Sequence, residues 1–207
     1  MKREEKNALS RERIFQAAMR EFSAKGYTAA SLNTVCAENN ISKGIIYHYF
    51  KDKDELYLLC VTDCFARLTA YLAEAQEGSA GPIERRLNEY FDERLRFFAE
   101  DPLAFGIFAS VIQDPPAHLA CEIAEARRCF DDLNILVVTQ FLENATLRAG
   151  MTIPTVVEDF RMYMDYFNLR FRDALAGTLA PEEVLREHEE RCHQQVEIFL
   201  YGVISGS

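Results

Sequence analysis

The chain has 207 residues, 49% of them hydrophobic and 27% charged, with a formal net charge of −10. It is long enough to bury a sizeable core, as one large domain or as a small domain fused to a medium one, and its acidity taken as a whole argues against a nucleic-acid partner. No run of 18 or more apolar residues is present to cross a membrane, and the opening MKREEKNALSRERIF lacks the apolar centre of a signal peptide, which points to the cytoplasm.

The charge is unevenly placed. Residues 1–60 hold ten Lys and Arg against eight Asp and Glu, a balance of +2, so the remainder carries −12. All six lysines fall within the first 53 residues. Positive charge is therefore concentrated at the N-terminal end, where a polyanion could be gripped, and the acidic remainder would be held away from it. A solubilising surface explains that remainder better than an acidic-ligand role. Six prolines, all after residue 80, and no alternating β-branched runs leave helix-period segments as the only regular pattern. The expected fold is all-α, with about nine helices.

The first, amphipathic helix ends near Phe22 and Gly26-Tyr27. Ser31 then caps a short helix running through Asn39, whose apolar side is Leu32, Val35 and Cys36. Asn39-Asn40-Ile41 make a turn, since asparagine tolerates the left-handed conformation that ends helices. Ser42 caps a second short helix, KGIIYHYF, and Lys51-Asp52-Lys53 open a third. Two short helices joined by a tight turn read as a helix-turn-helix whose second helix is the reader.

Residues 10–60, with SLNTVCAENNISKGIIYHYFKDKDEL as their core, resemble the DNA-binding domain of the TetR (tetracycline repressor) family of bacterial regulators. Cys36 stands where the family usually has alanine, and Asn39-Asn40 where it usually has Ala-Gly. The resemblance implies that Lys43, Gly44 and Tyr49 approach base edges while Tyr47 and Lys53 grip phosphates. Ser31 and Asn33 are further phosphate or base candidates, and Ser42 completes the DNA-facing set. Lysine can donate to guanine O6 and N7, glycine permits close backbone approach, and a phenol can donate to phosphate. Phe50 reads as core and His48 as a solvent-facing residue.

Helix four is expected over Asp54 to about Glu77, with Leu58, Val61, Phe65, Leu68 and Leu72 on one stripe and Tyr57, Cys60, Cys64, Arg67 and Tyr71 on another. Gly78 to Pro82 end it. A fifth helix spans Ile83 to about Ala99, and Asp101-Pro102 start a sixth that reaches Gln113. The seventh is expected from Ala117 to Arg148 and the eighth from Pro154 to Ala176, the latter with a seam of Phe160, Met164, Phe167, Phe171 and Leu175. Met162, Tyr166 and Leu169 make the other side of the eighth apolar as well. The ninth starts at Pro181 and carries Leu185, Cys192, Val196, Phe199 and Val203.

A helix that is apolar on both sides needs two partners. The last two helices could close the monomer's own core or pair across a two-fold axis. The resemblance implies the second, a homodimer with Phe160, Phe167, Phe171, Cys192, Val196, Phe199 and Val203 at its interface. It further implies a DNA-binding domain over residues 1–53 and a helical effector-binding and dimerisation domain over 54–207. Arg67, Tyr71, Arg94, Asn134 and Tyr163, polar groups set within apolar stripes, are the candidates to line an effector pocket. Fifteen phenylalanines suit a small apolar or aromatic effector, or an ordinary core.

The six cysteines include the i,i+4 pair Cys60 and Cys64, but no metal-ligand spacing of CxxC or HxxxH type is present, so no metal or other cofactor is expected. No glycine-rich phosphate loop, nucleophile elbow or HExxH supports an enzyme. The expectation is a ligand-responsive regulator, most simply a repressor, that binds a palindromic double-stranded DNA operator as a dimer and is released by its effector. The alternatives are a thiol- or soft-metal-responsive regulator and a helical ligand-binding protein without functional DNA binding.

Overall fold

The structure is a computed structural model that describes residues 3–39, 41–77, 81–175 and 181–204. Among these, nine α-helices make up the chain: α1 (Arg3–Ala29), α2 (Leu32–Glu38), α3 (Lys43–Tyr49), α4 (Lys53–Gln76), α5 (Ile83–Glu100), α6 (Pro102–Gln113), α7 (Ala120–Glu143), α8 (Ile153–Leu175) and α9 (Pro181–Val203). Two compact units result, one of Met1–Ala66 with Asp101–Arg127, the other of Arg67–Glu100 with Arg128–Ser207. Helices α4 and α7 each begin in the first unit and end in the second.

In the first unit α1 lies along α6. The two approach closely because residue 106 has no side chain, since a Cβ on Gly106 would fall 2.1 Å from Ser23 Oγ and 2.5 Å from the Ser23 carbonyl oxygen. Ile14, Ala18 and Phe22 of α1, Val35 of α2, Ile46 of α3 and Leu56 and Tyr57 of α4 are buried together with Ile107 of α6. Phe22 and Tyr57 meet edge to face at 5.1 Å, and the Tyr57 hydroxyl lies 3.2 Å from Ser110 Oγ. Near its end α1 breaks at Gly26, whose φ of +66° is open to glycine and strained for other residues. The Asp101 carboxylate caps α6 by accepting from the Ala104 N–H at 2.9 Å, with Pro102 in the first turn.

In the second unit α5 packs on α9 and α8 on α9. The buried face of α5 is Leu87, Tyr90, Phe91, Phe97 and Phe98, joined by Arg86 and Arg94. The α7 region departs from expectation at both ends. A single 3-10 turn occupies Ala117–Leu119, and α7 stops at Glu143. There Asn144 turns back on the helix, its side chain donating to the Gln140 carbonyl at 2.8 Å and its N–H to Phe141 at 3.3 Å. Residues 144–150 then run beside the end of α9, where the Arg148 N–H donates to the Val203 carbonyl at 3.0 Å and Leu147 bridges Ile204. Helix α4 has the length and hydropathy of a membrane span, yet Leu56, Tyr57, Cys60, Val61, Cys64, Phe65, Leu68 and Leu72 are buried within the protein.

Candidate nucleic-acid interface and effector site

The N-terminal site is built by capping. Ser31 Oγ accepts from the Asn33 N–H at 3.2 Å to start α2, and the Ser31 N–H is itself held at 2.9 Å by the buried carboxylate of Glu21 on α1. Asn39 ends α2 and is fastened from α1, with Arg20 donating to its Oδ1 at 2.7 Å and Arg13 to its carbonyl at 3.3 Å. Asn40 lies outside the described residues. Ser42 starts α3 by accepting from the Ile45 N–H at 3.4 Å. Ile41, Ile46 and Phe50 are buried and anchor the reader to the core.

Most of the expected DNA contacts on α2 and α3 lie at the surface. Ser42, Lys43, Gly44, Ile45, Tyr47 and His48 are exposed, and so is Asn33 on α2. At 3.6 residues per turn Gly44 and His48 each point about 160° away from the core residue Ile46, with Tyr47 and Ile45 on the two flanks. Two further expected DNA contacts, Tyr49 and Lys53, already have partners within the unit. Tyr49 is half-buried and its hydroxyl donates to Asn7 on α1 at 3.1 Å, a bond at the surface of the unit. Lys53, at the start of α4, lies half-buried with Nζ 4.4 Å above the Tyr27 ring, and burial lowers its pKa.

Beneath that lysine is a polar cluster. Tyr27 donates to Asp54 at 2.5 Å, and His118 Nε2 lies 3.2 Å from the other carboxylate oxygen. The Tyr27 bond, helped by His118 and Lys53 and opposed by burial, holds Asp54 below the usual carboxylate range. Burial and the same bond push the Tyr27 phenol up to about 12.

In the second unit the structure gathers some effector candidates and separates others. Arg94 is 4% exposed, and it donates at 2.9 Å to Glu189, which is 1% exposed. Burial alone would lower the pKa of Arg94 and raise that of Glu189, but each outweighs the other's desolvation, leaving Arg94 raised and Glu189 lowered. The guanidinium carbon sits 5.2 Å from the Phe91 ring and 5.3 Å from Phe130. Asn134 joins this cluster, accepting from Tyr90 at 2.7 Å and donating to the Phe130 carbonyl at 2.8 Å. Arg94, expected to meet an effector, is thus an internal cation with its counter-ion supplied by α9. Tyr71 donates to Glu93 at 2.7 Å, Tyr163 donates to Gln195, and Arg67 is exposed.

Sequence reasoning missed Glu189 and His188, whose Nδ1 lies 3.1 Å from Glu189 Oε1. A signal existed, because Glu189 falls on the 3,4-spaced seam of Cys192, Val196, Phe199 and Val203, where an acid needs a buried partner.

The expected interface residues Phe160, Cys192, Val196 and Val203 are buried within this unit, and the rings of Phe160 and Phe199 meet at 5.4 Å. Phe167 is half-buried, and the side chain of Phe171 lies outside the described residues. Among the described residues, the large apolar side chains these helices leave exposed are Met162, Tyr166 and Leu169 on α8 and Ile198 and Tyr201 on α9. Among the described residues no group of three or more His, Cys, Asp or Glu is gathered to hold a metal ion.

The arrangement defines an all-α protein that carries a helix-turn-helix at its N-terminal end. Residues 14–60 match the family described as bacterial regulatory proteins, tetR family. Among curated relatives, the HTH-type transcriptional regulator HbdR of Aromatoleum sp. (strain CIB) is 32% identical over 75 residues, 36% of this chain and 33% of its own length. The chain spans between 30% and 49% of the length of the curated relatives it matches. Among solved structures, a TetR-family transcriptional regulator from Chloroflexus aurantiacus aligns with a TM-score of 0.59 at 21% identity, covering 96% of this chain and 95% of that one. The transcriptional regulator FadR from Bacillus subtilis, solved with stearoyl-CoA, aligns with a TM-score of 0.60 at 13% identity, covering 86% and 95%. Residues 14–60 are thus similar to the DNA-binding domain of the TetR family, and the described residues share the all-helical fold of solved structures from that family.

Proposed function

We propose that the protein is a ligand-responsive transcriptional regulator that binds a palindromic double-stranded operator as a homodimer, in the cytoplasm, and is released from it by a small apolar or aromatic effector. The observation that carries this reading is α3, a capped and core-anchored helix that turns Lys43, Gly44, Tyr47 and His48 outward. Residues 1–53 supply DNA contacts, with Lys43 and Gly44 at base edges and Ser31, Asn33, Ser42, Tyr47 and Lys53 at the backbone. Tyr49 braces the reader against α1.

Residues 54–207 supply effector binding and assembly. Tyr71, Asn134, Tyr163 and Arg67 are the polar groups offered to an effector, with Arg94 as a structural cation behind them. The solved likeness to a regulator holding stearoyl-CoA supports a largely apolar ligand for this fold. Helix α4 runs unbroken from the first unit into the second, a direct route by which an effector can act on the reader. For assembly, the outward apolar stripe of α8 and α9 suits a two-fold partner better than the residues these helices already bury.

Cys60 and Cys192 speak for an organic effector over a thiol sensor. Burial pushes the Cys192 thiol up to about 12 and that of Cys60 higher, so neither presents a thiolate at neutral pH. A mobility-shift titration with duplexes from the region upstream of the protein's own gene tests the proposal. A complex that forms at low salt and weakens steeply with added salt is expected. Failure to shift any duplex would leave the helical ligand-binding protein as the better reading.

A further inference from the structure

Ile45 is the one large aliphatic side chain that α3 exposes, at 44% of its surface. The core position of this helix is filled by Ile46, next to it and 1% exposed, with Ile41 and Phe50 also buried. A single exposed hydrophobe is ordinary on a protein surface. Its neighbour is not. Gly44 sits on the outward line of the same helix, and a Cβ built there meets nothing within 4 Å. Its backbone is helical and has no positive φ. Glycine in a helix costs roughly 0.5–1 kcal/mol relative to alanine. Nothing inside the protein requires residue 44 to lack a side chain, and the bare backbone there suits a surface that approaches this helix from outside.

Bare backbone beside an exposed branched aliphatic side chain suits one feature of the major groove. The base edges there are donors and acceptors, except for the C5 methyl group of thymine, the apolar element that an aliphatic side chain can recognise. Gly44 lets the helix axis come close to the base-pair edges, and at about 100° per residue Ile45 then leans over the pairs beside Gly44, on the side opposite Tyr47.

We propose that Ile45 is a specificity-determining residue that reads a pyrimidine C5 methyl group, so that each operator half-site carries thymine, or 5-methylcytosine in its place, beside Gly44. The inference rests on the proposed DNA binding and assigns the chemistry of one position within it.

The test begins by selecting tight-binding duplexes from a random pool with the full-length protein. Each thymine of the selected half-site is then replaced singly by deoxyuridine, which removes the methyl group and leaves the hydrogen-bonding edge intact. At one thymine per half-site, the wild-type protein should bind about fourfold more weakly, the fold-change of one buried methyl group. Ile45→Ala should bind thymine and uracil duplexes equally at that position while keeping the wild-type preference elsewhere, and Ile45→Val should fall between. A 5-methylcytosine pair placed there should be favoured over cytosine by wild type and not by Ile45→Ala.

A wild-type protein indifferent to uracil at every position overturns the proposal, as does an Ile45→Ala variant with the same uracil penalty as wild type. Because Ile45 is exposed, the variants should keep the wild-type helical signal and unfolding midpoint. If no duplex is enriched from the pool, the DNA-binding reading falls and takes this one with it, whereas an enriched operator without a methyl effect removes the Ile45 assignment alone.

Discussion

Helices α3 and α5 both mix polar with apolar side chains, and they send the polar ones in opposite directions. Helix α3 buries Ile46 and leaves Lys43, Tyr47 and His48 in solvent, where water satisfies them until something else does. Helix α5 turns Arg94 inward against Glu189 and the rings of Phe91 and Phe130, where every interaction is internal. A charge buried in apolar surroundings is costly unless its partner is in place. The two helices therefore put opposite demands on mutation: α5 should answer in stability and α3 in binding.

The largest effect should come from breaking the internal pair. Arg94→Ala or Glu189→Ala is expected to cost about 3–5 kcal/mol in urea unfolding, because each leaves a buried charge unpartnered. The double change Arg94→Met with Glu189→Leu should recover most of that loss. A single variant within 1 kcal/mol of wild type, an arbitrary but strict bound below the range for buried pairs, would show that α5 is not held this way. Acid should act on the same bond. The Glu189 carboxyl is held below its ordinary value, since Arg94 and His188 outweigh the opposing effect of burial. Its contribution is therefore complete above the unfolded value, about 4.3, and is lost as pH falls through the lower folded value. The urea midpoint of wild type should drop more steeply between neutral pH and pH 3, on the order of the carboxylate range, than that of the Met/Leu double variant.

Assembly comes next. Tyr166→Glu with Ile198→Glu places charge on the apolar surface of α8 and α9 that is exposed in the single chain. A soluble, helical monomer by light scattering is expected, because these side chains lie mostly in solvent in the single chain. An unchanged dimer would move the two-fold surface elsewhere. Phe160→Glu, by contrast, should lower stability itself, since Phe160 is buried against Phe199.

On α3 the effects should be smaller and of another kind. Lys43→Ala should weaken operator binding by about 1–3 kcal/mol and relax base preference, with the urea midpoint unchanged. Lys53→Ala should weaken all duplexes alike and lower the salt slope by about one unit. A change in sequence preference at Lys53 would reverse the two assignments. The smallest effect is also the most discriminating one. Gly44→Ala should lower DNA affinity while leaving stability unchanged or raising it by up to about 0.5 kcal/mol. Alanine is the better helix former and meets nothing within 4 Å, although residue 44 stands in the first turn, where the glycine penalty is below its interior value. Loss of affinity without loss of stability is not the behaviour of a residue kept for folding.

Local chemistry was legible before the structure. Ser31, Ser42 and Asp101 start their helices as their side chains dictate, since a cap acts within three residues of itself. The second short helix followed from its cap and the turn before it, and Phe50, read as core, is buried. What escaped depends on partners distant along the chain. Helix α7 was expected to reach Arg148, but the segment after Asn144 is drawn to the end of α9, where Arg148 meets Val203. Arg94 looked like a ligand-facing residue because its counter-ion is 95 positions away. The seams of α8 and α9 were visible as stripes, but a stripe does not say whether it faces its own chain or another copy. In the folded chain Met162 and Tyr166 turn outward while Phe160 and Val196 stay inside.

The seat of Lys53 over the Tyr27 ring, 4.4 Å away, has a consequence for the timing and selectivity of DNA capture. A free lysine gives up on the order of 1.5–2 kcal/mol of rotamer entropy when it is fixed. Here much of that freedom is already gone before DNA arrives, because the aromatic face restrains the ammonium and Asp54 restrains the ring. A phosphate that meets this lysine therefore engages a partly ordered group. Loosening the seat with Tyr27→Leu is expected to slow DNA capture in stopped-flow association while leaving Lys53 and the exposed side chains of α3 in place.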